Sequence, residues 1–184
     1  MSDFAIADTC FLIDWSLWKK RDIIFQLFKT IFVPEAILNE VKSEGVISWI
    51  AEALAQGKLS LFTETSEILE EARSLIERSR MTPGIRGVDL PEAICLVVGK
   101  RRGYMVLTEN RGALMIVNLF EEFSNVKVWR ALEVIAEAIR RGILQTPHIE
   151  NIFMEYEVET KHRFPRVDLD NVIRKLREEA REVA

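Results

Sequence analysis

Two kinds of apolar pattern alternate along the chain. Short runs without helical spacing occur at Phe4–Ala7, Ile31–Val33, Leu59–Phe62, Tyr104–Thr108 and Val126–Trp129, and they predict five strands. Longer amphipathic stretches predict helices over Thr9–Trp18, Asp22–Lys29, Pro34–Lys42, Val46–Gln56, Ser66–Ser79, Asp89–Lys100, Asn110–Phe120 and Ala131–Arg141. Asp8-Thr9 reads as a helix cap, Pro34 opens a helix and Gly45 stops one. In Val46–Gln56, Trp49, Ile50, Ala53 and Leu54 share a face. Arg80–Val88 contains Pro83, Gly84 and Gly87 and reads as a long loop. Strands that alternate with helices predict an α/β fold: a three-layer α/β/α sandwich with a central, parallel five-stranded sheet. The pattern becomes more polar near Thr146, so residues 1–145 read as the main domain and 146–184 as a helical C-terminal extension.

Composition narrows the classes. The 184 residues are 48% hydrophobic and 29% charged, which excludes a disordered or low-complexity chain. The balance of 25 Lys and Arg against 29 Asp and Glu excludes a histone-like binder but allows a local basic patch. Two cysteines, Cys10 and Cys95, make no disulfide scaffold. Without a neighbouring His they read as small buried residues in a reducing cytoplasm. No apolar run approaches the roughly 20 residues of a membrane span, and the start lacks the basic region of a signal peptide. The expectation is a cytoplasmic protein with no membrane partner.

In parallel α/β sheets, chemistry gathers at the carboxyl ends of the strands. Asp8 follows strand one there and Glu109 follows strand four. Glu92 lies in the first turn of the helix before strand four, and Glu40 in the helix after strand two. If strands one and four are neighbours, Asp8 and Glu109 lie side by side. Carboxylates crowded in one crevice call for a hard divalent cation, Mg²⁺ or Mn²⁺. No Cys/His spacing suggests zinc, and no glycine-rich phosphate loop is present. Asp8-Thr9-Cys10 lacks the second Asp of a haloacid-dehalogenase-like phosphatase, and strand three is not followed by the Asp of a receiver domain.

These segments, Ala7-Asp8-Thr9, the helix bearing Glu40, Asp89-x-x-Glu92-Ala93-Ile94-x-Leu96 and Val106-Leu107-Thr108-Glu109-Asn110, stand in the order found in PIN-domain nucleases. The resemblance covers roughly Ser2 to Ala138 and is greatest to the small prokaryotic PIN proteins, which include the VapC-type toxins. It implies acidic residues that hold one or two Mg²⁺ or Mn²⁺ ions and hydrolyse RNA phosphodiesters. Carried over by position, Asp8, Glu40, Glu92 and Glu109 are the four catalytic and metal-binding acids. Thr9 and Asn110 are polar companions. Asp89 competes with Glu92 for the third place, its other role being N-cap of a capping box. Glu stands at the third and fourth positions, where the family usually has Asp.

The implied activity is a metal-dependent endoribonuclease, the toxin of a toxin–antitoxin pair with an antitoxin-like partner. The alternative is a PIN-fold RNA- or protein-binding module with weak or absent catalysis. Arg80 and Arg86, in the loop before the Glu92 helix, are the candidate RNA contacts, whereas Lys100–Arg102 are expected at the opposite end of the sheet. His148 and His162 are expected on the surface of the extension, away from the motifs. Trp15, Trp18, Phe25 and Phe28 are expected in the core or in an apolar interface that forms a homodimer or binds a partner peptide.

Overall fold

A computed structural model describes residues 3–183. Its sheet has five strands, β1 (Phe4–Ala7), β2 (Thr30–Pro34), β3 (Leu59–Phe62), β4 (Met105–Leu107) and β5 (Val128–Trp129). All are parallel, in the order β3-β2-β1-β4-β5. β1 and β4 are therefore neighbours, with Ile6 opposite Val106 and Ala7 opposite Leu107. The ladder continues one residue further, since the Asp8 amide donates to the Leu107 carbonyl at 3.0 Å.

Side chains alternate across a strand, and here the alternation sorts two cores. Ala5, Ala7, Ile31, Val33, Leu59, Met105 and Leu107 pack on one face with helices α1 (Thr9–Ser16), α2 (Glu44–Ala55) and α6 (Ala131–Arg140). Ile6 and Val106 pack on the other face with α3 (Ser66–Met81), α4 (Leu90–Arg102) and α5 (Arg111–Leu119). The sheet thus lies between helical layers. α4 is buried on every side from Pro91 to Gly99, as suits a helix at the centre of its layer. Gly99 permits the close approach, because a Cβ there would stand 2.5 Å from Val106 Cγ2. Gly103 ends α4 in the left-handed conformation, φ 68°.

Two elements differ from the sequence reading. The segments expected as helices over Asp22–Lys29 and Pro34–Lys42 form tight 3-10 turns at Arg21–Gln26 and Glu35–Asn39. Connections this short cannot repay the cost of α-helix nucleation. Gly45 lies inside the first turn of α2 and does not end a helix.

The extension forms α7 (Ile149–Thr160) and α8 (Arg166–Val183). Phe153, Tyr156, Phe164, Leu169 and Leu176 belong to the same core as α1 and α6. The Tyr156 ring lies 5.7 Å from Trp15 and 5.4 Å from Trp18. Ion pairs Lys19–Glu159 (3.3 Å), Arg130–Asp168 (2.7 Å) and Arg140–Glu179 (2.8 Å) flank this contact. Of the aromatic residues expected in the core or at an interface, Trp15 and Trp18 are therefore covered by α7 of the same chain, while Phe25 meets Trp49 and Phe28 meets Trp129. No helix among the described residues is long and apolar enough to cross a membrane.

Candidate functional site

The strand alternation that sorts the cores continues past the ends of β1 and β4. Asp8 shares the side of Ile6, and Thr108 and Asn110 share the side of Val106, all towards α4. Asp8 caps α1: its Oδ1 accepts the Phe11 amide at 2.8 Å. Its Oδ2 accepts the Thr108 hydroxyl. The side chain is 0% exposed. Burial pushes its carboxyl up to about 7, with the Glu92 and Glu109 carboxylates adding to the effect and the two hydrogen bonds opposing it.

Glu92 is 5% exposed. Its Oε2 accepts the Asp89 amide at 3.1 Å, completing the capping box of α4, and its Oε1 accepts the Asn110 side-chain amide at 3.2 Å. Of the two candidates for the third acid, Glu92 turns inward while Asp89 is exposed at the helix cap. Asn110 is fixed from its other end, since its Oδ1 caps α5 through Gly112 (2.7 Å) and Ala113 (3.3 Å). The Asn110 amide also donates to Thr108 Oγ1 at 3.0 Å. Asp8, Thr108, Asn110 and Glu92 thus form one hydrogen-bonded chain.

At the rim, Glu40 follows the 3-10 turn after β2, and its Oε2 accepts the Thr9 hydroxyl at 2.6 Å. Cys10 is exposed and its thiol lies 3.9 Å from Glu92 Oε1, contrary to the buried position expected from the sequence; Cys95 is buried. Partial burial raises the Cys10 thiol to about 12, reinforced by the carboxylates of Asp8, Glu92, Asp14 and Glu40.

Glu109 does not join them. It shares the parity of Leu107 and so points to the α1–α6 side of the sheet. Its Oε1 accepts the Ala131 amide at the start of α6 at 2.6 Å, and its Oε2 lies 3.4 Å from His162 Nε2. Burial holds its carboxyl at about 7 against these favourable partners. His162 Nδ1 lies 3.1 Å from Asp14 Oδ2. The Asp14 hydrogen bond raises the imidazole above its ordinary value, with the nearby Glu109 charge adding to it. This corrects the sequence reading of His162, which is half-buried against the site; His148 is exposed as expected. Beside them lies Tyr156, 0% exposed, whose hydroxyl has no hydrogen-bond partner among the described residues. Thr108, Asp14, His162 and Tyr156 are absent from the sequence-derived site. Strand parity carries the signal for Thr108, whereas the other three meet only through tertiary packing.

The all-oxygen donor set fits a hard cation in kind. In arrangement, no group of three or more His, Cys, Asp or Glu among the described residues surrounds a single metal position. Parity supplies the reason for Glu109, and the exposed Glu40 leans on Thr9. Asp8 and Glu92 remain as the inward-facing acids.

Arg80 and Arg86 are exposed, but Arg80 lies in the last turn of α3 and not in the loop expected from the sequence, so only Arg86 is carried by that loop. The Arg86 carbonyl lies so close to the first turn of α5 that a Cβ on Gly112 would come within 2.2 Å of it. That contact brings the loop beside Asn110. Arg111, also exposed, begins the same helix. Among the described residues none of these three arginines makes an ion pair. Lys100 and Arg101, in contrast, are each bound to Glu71 at 2.7 Å near the far end of α4. Compared with protein-family models and with curated proteins, the chain matches none.

Proposed function

We propose that the protein is a divalent-metal-dependent ribonuclease of the PIN type, acting at the acidic residues where β1, β4 and α4 meet. The observation that carries this reading is the pair of buried acids Asp8, at the carboxyl end of β1, and Glu92, in the first turn of α4, with the Glu92 carboxylate adding to the cost of ionising Asp8. A cation relieves that cost, and bound Mg²⁺ or Mn²⁺ supplies an activated water and stabilises charge on phosphorus. Asp8 and Glu92 would hold it, with Glu40 at the rim. Thr108 and Asn110 keep the two carboxylates oriented through their hydrogen bonds. Arg86, whose carbonyl approaches Gly112, and Arg111, next to Asn110, would position phosphates without reading sequence. The fourth acid of the resemblance, Glu109, acts on Asp8 through charge across the sheet end. The toxin role and an antitoxin-like partner rest on the family resemblance.

The absence of a three-donor cluster among the described residues favours a second reading, a binding module that holds RNA without cutting it. Incubating defined RNAs with the full chain, with and without millimolar Mn²⁺, separates the two. Cleavage that requires Mn²⁺ and is lost in Asp8→Asn and Glu92→Gln supports the ribonuclease. RNA that is retained uncut supports the binding module.

A further inference from the structure

The charged residues that border the strands are sorted by the end of the sheet they occupy. The first four strands are each left through an acid: Asp8 follows β1, Glu35 follows β2, and Glu64 and Glu109 stand two residues beyond β3 and β4. Three strands are entered directly from a lysine, Lys29 before β2, Lys58 before β3 and Lys127 before β5, and β4 is reached from Arg102 at the end of α4. Asp3, before β1, is the exception at this end. Arg130, after β5, is the exception at the other, and Glu133 and Asp168 neutralise it at 2.7 Å each. Because all the strands run the same way, these local choices make one end of the sheet acidic and the other basic.

The cations of the basic end are available to a partner. Lys29, Lys58, Arg102 and Lys127 are exposed, and among the described residues none of them makes an ion pair. Lys58 lies over the Phe25 ring at 5.3 Å and keeps its charge. Lys100 and Arg101 share one carboxylate, that of Glu71. The strand order sets out the row as Lys58, Lys29, Asp3, Arg102 and Lys127, over roughly 19 Å at the usual strand spacing. The ladder holds its members nearly level: the Lys29 amide donates to the Asp3 carbonyl at 2.8 Å, and the Val106 amide to the Lys127 carbonyl at 2.9 Å. Arg102 sits in the last turn of α4, where a cation also offsets the helix dipole. Lys29 and Lys127 come after short 3-10 turns, which have little dipole to offset.

A row of separated cations suits a linear polyanion. We propose that the basic end of the sheet, through Lys29, Arg102 and Lys127, is a second RNA-binding surface that holds backbone phosphates at the opposite end of β1 from Asp8. The two ends are about 17 Å apart along that strand. The proposal rests on the RNA-directed reading above. Phosphates are held there by charge alone, so the surface reads no sequence. The acidic end repels a polyanion, and the basic end supplies attraction that a net charge of −4 conceals.

The test is fluorescence anisotropy of a labelled oligouridine of about 30 nucleotides, titrated with the full chain across a range of salt. Chelator is present throughout, so nothing is cut. The variants are Lys29→Gln/Lys127→Gln, Arg102→Gln alone, and Arg73→Gln/Lys175→Gln, which removes the same charge from exposed positions on α3 and α8. Thermal melts check that each is folded. Binding in Lys29→Gln/Lys127→Gln is expected to be about tenfold weaker near 0.1 M salt, with the log–log salt slope shallower by about 0.7 for each lysine removed. Arg102→Gln weakens binding in the same direction, and Arg73→Gln/Lys175→Gln changes it less than about twofold. Equal losses in the two double variants overturn the proposal, because net charge alone would then explain them. Polyglutamate that displaces the oligonucleotide as well as unlabelled RNA does also overturns it, in favour of an acidic protein partner. Unchanged binding in Lys29→Gln/Lys127→Gln and in Arg102→Gln overturns it too. If that same RNA is still cut by the wild type with Mn²⁺, the ribonuclease reading stands. A wild type that neither binds nor cuts RNA overturns both.

Discussion

The Thr108 hydroxyl donates to the carboxylate of Asp8 across 100 residues of sequence, joining the ends of β1 and β4. It is a buried bond to a buried acid, and it is the one side-chain donor that favours the ionised form of Asp8. Thr108→Val keeps the shape and removes the donor. The expected outcome is a loss of about 1–2 kcal/mol in stability at neutral pH, read from denaturant melts. Mn²⁺ binding should also weaken, because the Asp8 proton becomes harder to displace. Unchanged affinity would remove Thr108 from the site.

Asp8 and Glu109 both hold protons more tightly folded than unfolded, with carboxyls raised to about 7 from 3.8 and 4.5. Their contribution to stability is therefore full below about pH 4 and is lost as the pH rises through about 7. Asp8→Asn cannot ionise and should escape its share of that loss. Its melting temperature is expected to match the wild type near pH 4 and to exceed it at pH 8. The difference corresponds to about 2–4 kcal/mol, or roughly 5–10 °C in Tm. Mn²⁺ should restore the wild type at pH 8 and leave Asp8→Asn unmoved.

The loop that carries Arg86 depends on the absence of a side chain at Gly112. A methyl group there meets the Arg86 carbonyl at 2.2 Å, which neither backbone can accept without moving. Gly112→Ala should cost about 1–3 kcal/mol and displace the loop from Asn110. In a filter-binding assay, RNA affinity should fall in Gly112→Ala and in Arg86→Ala alike, with the loss shrinking at higher salt.

Tyr156 is used for its ring and wastes its hydroxyl. The ring touches Trp15, Trp18, His162 and Phe164, whereas the buried oxygen has no partner among the described residues. Tyr156→Phe keeps the packing and removes an unsatisfied polar group, so a change between zero and about 1 kcal/mol of added stability is expected. A clear destabilisation in the thermal melt would mean that the hydroxyl is satisfied in solution.

The five strands and their parallel alternation with helices were legible because short unpatterned apolar runs between amphipathic stretches have few other solutions. The same pattern put Asp8 and Glu109 at the ends of strands one and four, which the sheet order makes neighbours. It also held the information that separates them: Asp8 shares the parity of Ile6, and Glu109 that of Leu107. Proximity along strand ends does not by itself say which face each residue takes. The two 3-10 turns were not legible, because Asp22–Lys29 and Pro34–Lys42 have helical composition and only the tight spacing of β1, β2 and α2 restrains their length. His162 was illegible for a different reason. Its place is set by an α7–α8 turn that packs against α1, and nothing local in its sequence marks that encounter.

The contact of α7 with Trp15 and Trp18 has a practical consequence for dissection of the chain. A fragment ending at residue 145 would bare two indole rings that are now 0% exposed. Such a fragment is expected to be sticky and poorly soluble. The sheet-and-helix body and its tail are one expression unit, and shortening the protein to isolate that body would create the very apolar surface that the native chain has hidden.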